Sequence, residues 1–347
     1  MFERRISPGG PDALPAQSRA RRHRASAAVR GVGSGGRWAA FREENRQEAA
    51  VSETENSESA EAGDQAMTRF DDIYDRPDPR AFFRALGSFE YQTPHHAQRI
   101  FRRMLATRTG NGNGDGTREP VTVLDICCSY GINAALLNHD VTLADLYDRY
   151  GSAHIAALDT AELIEADRAY YAARRRPDAV RVVGLDVAAN AVSYARAVGL
   201  LDEGFAENLE SAPPSSALLE AARPTRLITV TGGASFLSPR SFRPFLAEAR
   251  EPAWVAAFVL RTGSYQAIAD GLSAHGLVTE KAAPQTFPQR RFTSEREQRY
   301  AVEAVTAAAE DPRGKESAGY FHTALHLSRP PRDAAAFPLT GLLSAQD

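Results

Sequence analysis

Only two of the 347 residues are cysteine, and they are adjacent, Cys127 and Cys128. Two neighbouring cysteines cannot build a disulfide framework, and no third stands at metal-ligand spacing, so neither a secreted scaffold nor a cysteine-held metal is expected. No apolar run approaches the ~20 residues of a membrane-spanning helix. No secretory h-region opens the chain, so a cytoplasmic protein with no membrane partner is expected. An excess of one charge is missing too. Lys+Arg 41 against Asp+Glu 44 leaves a net charge of −3, which gives no whole-chain pull toward nucleic acid. The turn after the first expected strand also lacks the Gly-x-Gly-x-x-Gly spacing of dinucleotide folds, and the chain has no Tyr-x-x-x-Lys pair. What the chain does have is 43% hydrophobic residues, enough for a sizeable core in one large or two ordinary domains.

Residues 1–66 are poor in aliphatic side chains. A basic stretch (Arg19, Arg21, Arg22, Arg24, Arg30) gives way to an acidic one (Glu43, Glu44, Glu48, Glu53, Glu55, Glu58, Glu61, Asp64). Such a segment buries too little apolar surface to offset its ordering entropy, so a disordered extension is expected. Met67-Thr-Arg-Phe opens the first patterned segment and is an alternative start. Residues 67–120 then read as a helical lid and a glycine-rich linker. Asp78 is the expected N-cap with Pro79 at the first helical position, a second helix runs from His95 to Leu105, and Thr109 to Gly116 is the flexible tether.

From Val121 to Leu137 the chain reads as a buried strand, an acid, a small-residue turn and an apolar helix. That arrangement presents backbone N–H groups and a helix N-terminus to a ligand's polar end. The turn, Asp125-Ile126-Cys127-Cys128-Ser129-Tyr130-Gly131, resembles motif I of the class I S-adenosylmethionine (SAM)-dependent methyltransferases. That motif reads acid, x, Gly, Cys, Gly, x, Gly. The acid, one Cys and the last glycine match, while Cys127 and Ser129 replace the first two glycines.

Downstream, residues 138–179 read as a helical insertion, with Thr142 and Asp145 spaced as a capping box and Asp159 or Thr160 capping a second helix. Strands then alternate with helices: 180–186, a weak strand at 204–210, 226–233 and 253–261, with 277–281 and 320–327 last. This alternation predicts an α/β fold with a doubly wound, mostly parallel sheet over 121–330. The resemblance implies seven strands with an antiparallel end. Residues 331–347 are expected to form a flexible tail.

The resemblance further implies SAM as the cofactor and a SAM-dependent methyltransferase as the activity. Asp125 and the backbone through Cys127, Cys128, Ser129, Tyr130 and Gly131 would then face its methionine end. Asp186 would accept the ribose hydroxyls, and Asn208, with Glu207 as runner-up, would meet the adenine amino group. Thr231 and Gly232 would border the site at the tip of the fourth strand. Ser129→Gly, which restores the commoner family residue, is expected to be tolerated or to tighten cofactor binding slightly. Because the sulfonium already activates the methyl group, a general base is needed only for an acceptor that must lose a proton. The candidate bases are His139, His154 and His275, each with an ordinary surface or capping role as the alternative. No Asn-Pro-Pro-Tyr-type run follows the fourth strand, where Thr231-Gly-Gly-Ala-Ser-Phe236 stands instead. That favours a small-molecule methyl acceptor over a nucleic acid. O-, N- or C-methylation and the oligomeric state are left open by these residues. Two other classes stay open: a non-catalytic SAM-binding or Rossmann partner module, and an NAD(P)-dependent oxidoreductase disfavoured by the missing glycine spacing.

Overall fold

The computed structural model describes residues 67, 68, 70–110 and 121–344; the extension expected over 1–66 and most of the glycine-rich linker lie outside the described residues. Among the described residues three helices precede the sheet: α1 (Asp71–Tyr74), α2 (Arg80–Ser88) and α3 (Thr93–Gly110). Helix α2 begins one residue later than the sequence suggests, with Pro79 at the N-cap and the Asp78 carboxylate accepting the Arg80 N–H at 3.2 Å. Helix α3 is more than a lid. Its Phe101 is fully buried and meets Phe258 edge-on at 5.8 Å, so α3 forms part of the layer covering the sheet.

Strand β1 (Thr122–Ile126) and helix α4 (Ile132–Asn138) follow, then an insertion of α5 (Leu143–Gly151), α6 (Ala153–Ala157) and α7 (Thr160–Ala172). Capping boxes start α5 (Thr142 with Asp145) and α7 (Asp159 with Glu162), each satisfying two otherwise orphaned backbone donors. Helix α6 was not anticipated. The insertion closes on Asp167, a fully buried carboxylate that accepts from Arg149 Nε at 2.7 Å and from the Tyr150 hydroxyl at 2.6 Å. Tyr194 also donates to Asp167, which fastens the insertion to the helix after the second strand.

The alternation then runs β2 (Arg181–Asp186), α8 (Ala189–Ala197), β3 (Glu203–Ala206), α9 (Ser216–Ala222), β4 (Thr225–Val230), α10 (Arg243–Glu248), β5 (Trp254–Leu260) and α11 (Gln266–Ser273). After it come β6 (Val278–Lys281), β7 (Phe287–Arg291), α12 (Glu295–Ala307), β8 (Tyr320–Arg329), α13 (Pro331–Ala336) and α14 (Leu339–Leu343). The sheet has the order β3-β2-β1-β4-β5-β8-β6, with β1 to β5 parallel and β8 antiparallel to β5. Among the described residues the sheet has eight strands, where the resemblance implies seven. The ten-residue β8 carries β7 along 320–323 and β6 along 326–329, while β5 holds 323–328. Since β5 occupies one side, β6 and β7 must share the other, and the seventh position of the sheet is split between them. Strand β7 holds Pro288, tolerated beside the break in register between Pro288 and Arg290, where the ladder is interrupted.

Side chains alternate between two cores, as period two requires. Val123, Val182 and Leu227 pack on the face with α3, α4 and α8, while Leu124, Val183 and Ile228 pack with α9, α10 and α11. Both faces are covered, which makes the sheet doubly wound. The tail expected to be flexible is helical through Leu343. Asp333 accepts from Trp254 Nε1 at 2.8 Å, Leu342 is buried, and Arg103 donates to the Leu342 carbonyl at 3.0 Å. No helix among the described residues is long and apolar enough to cross a membrane.

Candidate functional site

Strands β1 and β2 are neighbours in register, Asp125 opposite Gly184 and Ile126 opposite Leu185, so Asp125 and Asp186 end adjacent parallel strands. Ligands of open α/β sheets bind at such carboxyl ends, beside the point where strand order reverses. Between the two acids the turn takes left-handed φ at Cys127 (+60°), Ser129 (+49°) and Gly131 (+77°). These are the three glycine positions of the motif it resembles. The backbone keeps the glycine-loop shape with two of the glycines replaced, at a cost of ~1–2 kcal/mol for each non-glycine residue.

Both acids are buried. Asp125 Oδ1 accepts from Asn133 Nδ2 at 2.8 Å and Thr229 Oγ1 at 2.6 Å, whereas its Oδ2 has no partner. Burial pushes its carboxyl up to about 6, against the opposing pull of those two donors. Asp186 is also raised to about 6 by burial, although it accepts the Ser129 N–H at 2.8 Å on Oδ2 and the Ala188 N–H at 2.9 Å on Oδ1. Asn133 also donates to Thr231 Oγ1 at 2.9 Å, linking the start of α4 to the tip of β4.

The structure does not place every expected residue in this crevice. Cys127 lines it, its sulfur filling the space that a side chain on Gly233 would need, only 2.2 Å from a Cβ built there. Cys128 points to the other face: it is buried in the opposite core beside Gly184, whose added Cβ would stand 2.8 Å from its sulfur. Gly131 is required for packing, since a Cβ would come within 3.1 Å of Ala195 and 3.2 Å of Leu200, and its φ is left-handed. Tyr130 turns away toward the N-terminal helices, where its hydroxyl accepts the Arg76 N–H at 2.9 Å. Asn208 lines the crevice, but its amide oxygen accepts the Glu210 N–H at 3.0 Å. Glu207 is spent on Ser215, accepting its N–H at 2.9 Å and its hydroxyl at 2.6 Å. Thr231 is buried, and a Cβ on Gly232 would stand 3.1 Å from the Tyr91 hydroxyl.

None of the three candidate bases lines the crevice. His139 is buried at the end of α4, with its Nδ1 3.2 Å from the Ala135 carbonyl and its ring against Tyr171. Burial holds its pKa below the usual histidine value. His154 and His275 are exposed, on α6 and just beyond α11. Sequence reasoning missed Asn133, Thr229 and Glu210. Glu210 is a buried hub, accepting the Ser238 N–H at 2.9 Å, the Ser238 hydroxyl at 2.7 Å and the Ser241 hydroxyl at 2.6 Å. It thereby fixes the loop that carries Leu237 into the crevice. An asparagine inside the apolar run Ile132-Asn-Ala-Ala-Leu-Leu137 was the one signal available for Asn133.

The crevice itself is narrow. The space open to a water-sized molecule between Ile126, Cys127, Leu185, Asp186, Leu209 and Leu237 is about 20 Å³. That is room for roughly one water.

No protein-family model matches the sequence, and no curated protein does. Among solved structures, the chain is similar to the plantazolicin methyltransferase BamL in complex with a desmethyl analogue and SAH, at 12% identity and a TM-score of 0.40, over 78% of this chain and 97% of that one. It is also similar to the N-methyltransferase NodS from Bradyrhizobium japonicum WM9, at 11% identity and a TM-score of 0.35, over 79% and 98%. For the O-methyltransferase TomG from Streptomyces achromogenes the values are 12% and 0.30, over 67% and 79%. At such identities the functional reading rests on the site. Strand order, the antiparallel end and the strand-turn-helix around Asp125 and Gly131 give the chain the class I methyltransferase-like α/β architecture that its sequence implied.

Proposed function

We propose that the chain binds SAM in the crevice at the ends of β1 and β2 and transfers its methyl group to a small-molecule acceptor. The observation that carries this reading is the pair of buried acids ending adjacent strands on either side of a turn with three left-handed residues. The donor set suits the group. Each Asp186 oxygen accepts one backbone N–H and keeps lone pairs for two ribose hydroxyls. Asp125 Oδ2, buried without a partner, suits the ammonium of the methionine end. The apolar walls Ile126, Leu185, Leu209 and Leu237 suit a base, once the loop held by Glu210 moves outward. When bound, SAM supplies an activated methyl on a sulfonium, and the chain's part is to position the acceptor and exclude water. Residues 70–92 act as the lid, tied to the turn through Tyr130 and to the start of α8 through Asp75, which accepts the Asn190 N–H at 2.7 Å.

One observation favours a second reading, a partner module without catalysis: the crevice is narrow and Cys127 stands within it. Titration calorimetry with SAM, SAH and NAD(P) separates the two. The methyltransferase reading requires SAM and SAH to bind and NAD(P) not to. Asp186→Ala should then weaken SAM by roughly 1.5–3 kcal/mol through lost charge-assisted bonds. A folded wild-type chain that binds neither SAM nor SAH leaves the partner module standing. The acceptor is then sought by incubating metabolite extracts with labelled SAM.

A further inference from the structure

Ser129 carries two penalties that glycine would remove together. Its backbone sits at φ +49°, a region disfavoured for any residue with a Cβ. Its hydroxyl is buried, the residue being 8% exposed, and has no hydrogen-bond partner. A buried polar group without a partner destabilises the fold and calls for an explanation. Among the described residues nothing uses this hydroxyl. Two orphaned polar side chains thus flank the same turn, since Asp125 Oδ2 is the other. One is an acceptor whose ionised form calls for a cation. The other can donate. The Ser129 N–H is already spent on Asp186, so the hydroxyl is the donor that remains at this residue.

Resting on the SAM reading above, we infer that the Ser129 hydroxyl donates a hydrogen bond to the carboxylate of the cofactor's amino-acid end, so that this turn recognises with a side chain what a glycine there would leave to backbone or water. Strain at a functional turn is then offset by ligand contact, a common place for such strain to be kept. The sequence alone predicts that Ser129→Gly is tolerated or tightens binding slightly. The stranded hydroxyl reverses that expectation.

The test uses the full chain and two ligands in titration calorimetry: SAH, and 5′-methylthioadenosine, which keeps the adenosine and thioether but lacks the amino-acid end. Ser129→Ala and Ser129→Gly should each weaken SAH by roughly ten- to a hundredfold, the worth of a hydrogen bond to a charged group. Neither should change methylthioadenosine by more than about twofold, within the scatter of sites that share no contact. Ser129→Gly should also unfold about 2 °C higher than wild type, because the strain is gone. Higher stability with weaker SAH binding is a signature that a merely structural serine does not give. If Ser129→Ala fails to fold, Ser129→Gly alone carries the test, since glycine suits the backbone. Unchanged or tighter SAH binding in Ser129→Gly overturns the inference and leaves the SAM reading intact. Equal losses for both ligands also overturn it, because the residue then shapes the turn as a whole. A wild-type chain that binds neither ligand overturns the SAM reading and this inference with it.

Discussion

Asp186→Asn should change how stability depends on pH, and the size of the change follows from the structure. Asp186 is 5% exposed and its carboxyl is raised from 3.8 to about 6, chiefly by burial. A carboxyl raised on folding favours the neutral form in the folded state. Its contribution is therefore fully present below the unfolded pKa near 4 and is lost as pH rises through about 6. Between those limits the loss is about 3 kcal/mol, at ~1.4 kcal/mol for each pKa unit. Asparagine does not titrate, so the variant lacks this loss. It has a fixed cost instead: its NH2 must face one of the two backbone donors, Ser129 N–H or Ala188 N–H, and leave it unpaired for about 1–3 kcal/mol at all pH values. The variant should thus be less stable than wild type at pH 4 and should close the gap, or overtake, by pH 7. Urea denaturation of both proteins at half-unit steps from pH 4 to 7.5 reads this directly. Parallel stability curves across that range would refute the argument, because they would mean that Asp186 titrates alike in both states.

Gly131→Val should lower stability by roughly 2–4 kcal/mol, from overpacking against Ala195 and Leu200 plus a left-handed φ, so the thermal midpoint should fall even without ligand. A variant that melts like wild type and loses only ligand affinity would place the ligand, and not α8, beside Gly131. Gly233→Ala should destabilise the chain because its methyl meets the Cys127 sulfur, and Cys127→Gly in the same chain should restore most of the loss. A double-mutant cycle should give a coupling of about 1–3 kcal/mol, and additive effects would show that the two turns do not interlock.

The strands of the parallel sheet were legible because their side chains are buried on both faces, so β1, β2, β4 and β5 read as near-continuous apolar runs. Helix starts at Thr142 and Asp159 were legible for a local reason, since a capping box lies within four residues. Strand β7 was hidden by Pro288, and α12 was missed although Ser294 and Glu297 stand at capping-box spacing. The helices of the tail depend on Asp333 meeting Trp254 and on Leu342 finding the core, contacts far apart in sequence.

The site divides along the same line. Sequence by itself determined that an acid, a tight turn and a helix follow β1, and that a second acid ends the next parallel strand. Residue order and side-chain period suffice for that. Only the tertiary structure decided which turn residues face the crevice. Cys127 and Cys128 are adjacent, yet a left-handed residue between strand and helix sends one sulfur toward Gly233 and the other under Gly184. Folding likewise spent Asn208 and Glu207 on their own loop, placed Asn133 on Asp125, and left the Ser129 hydroxyl and Asp125 Oδ2 without partners. Each of those outcomes turns on where a side chain points and what already satisfies it, and that depends on contacts between segments that the order of residues does not encode locally.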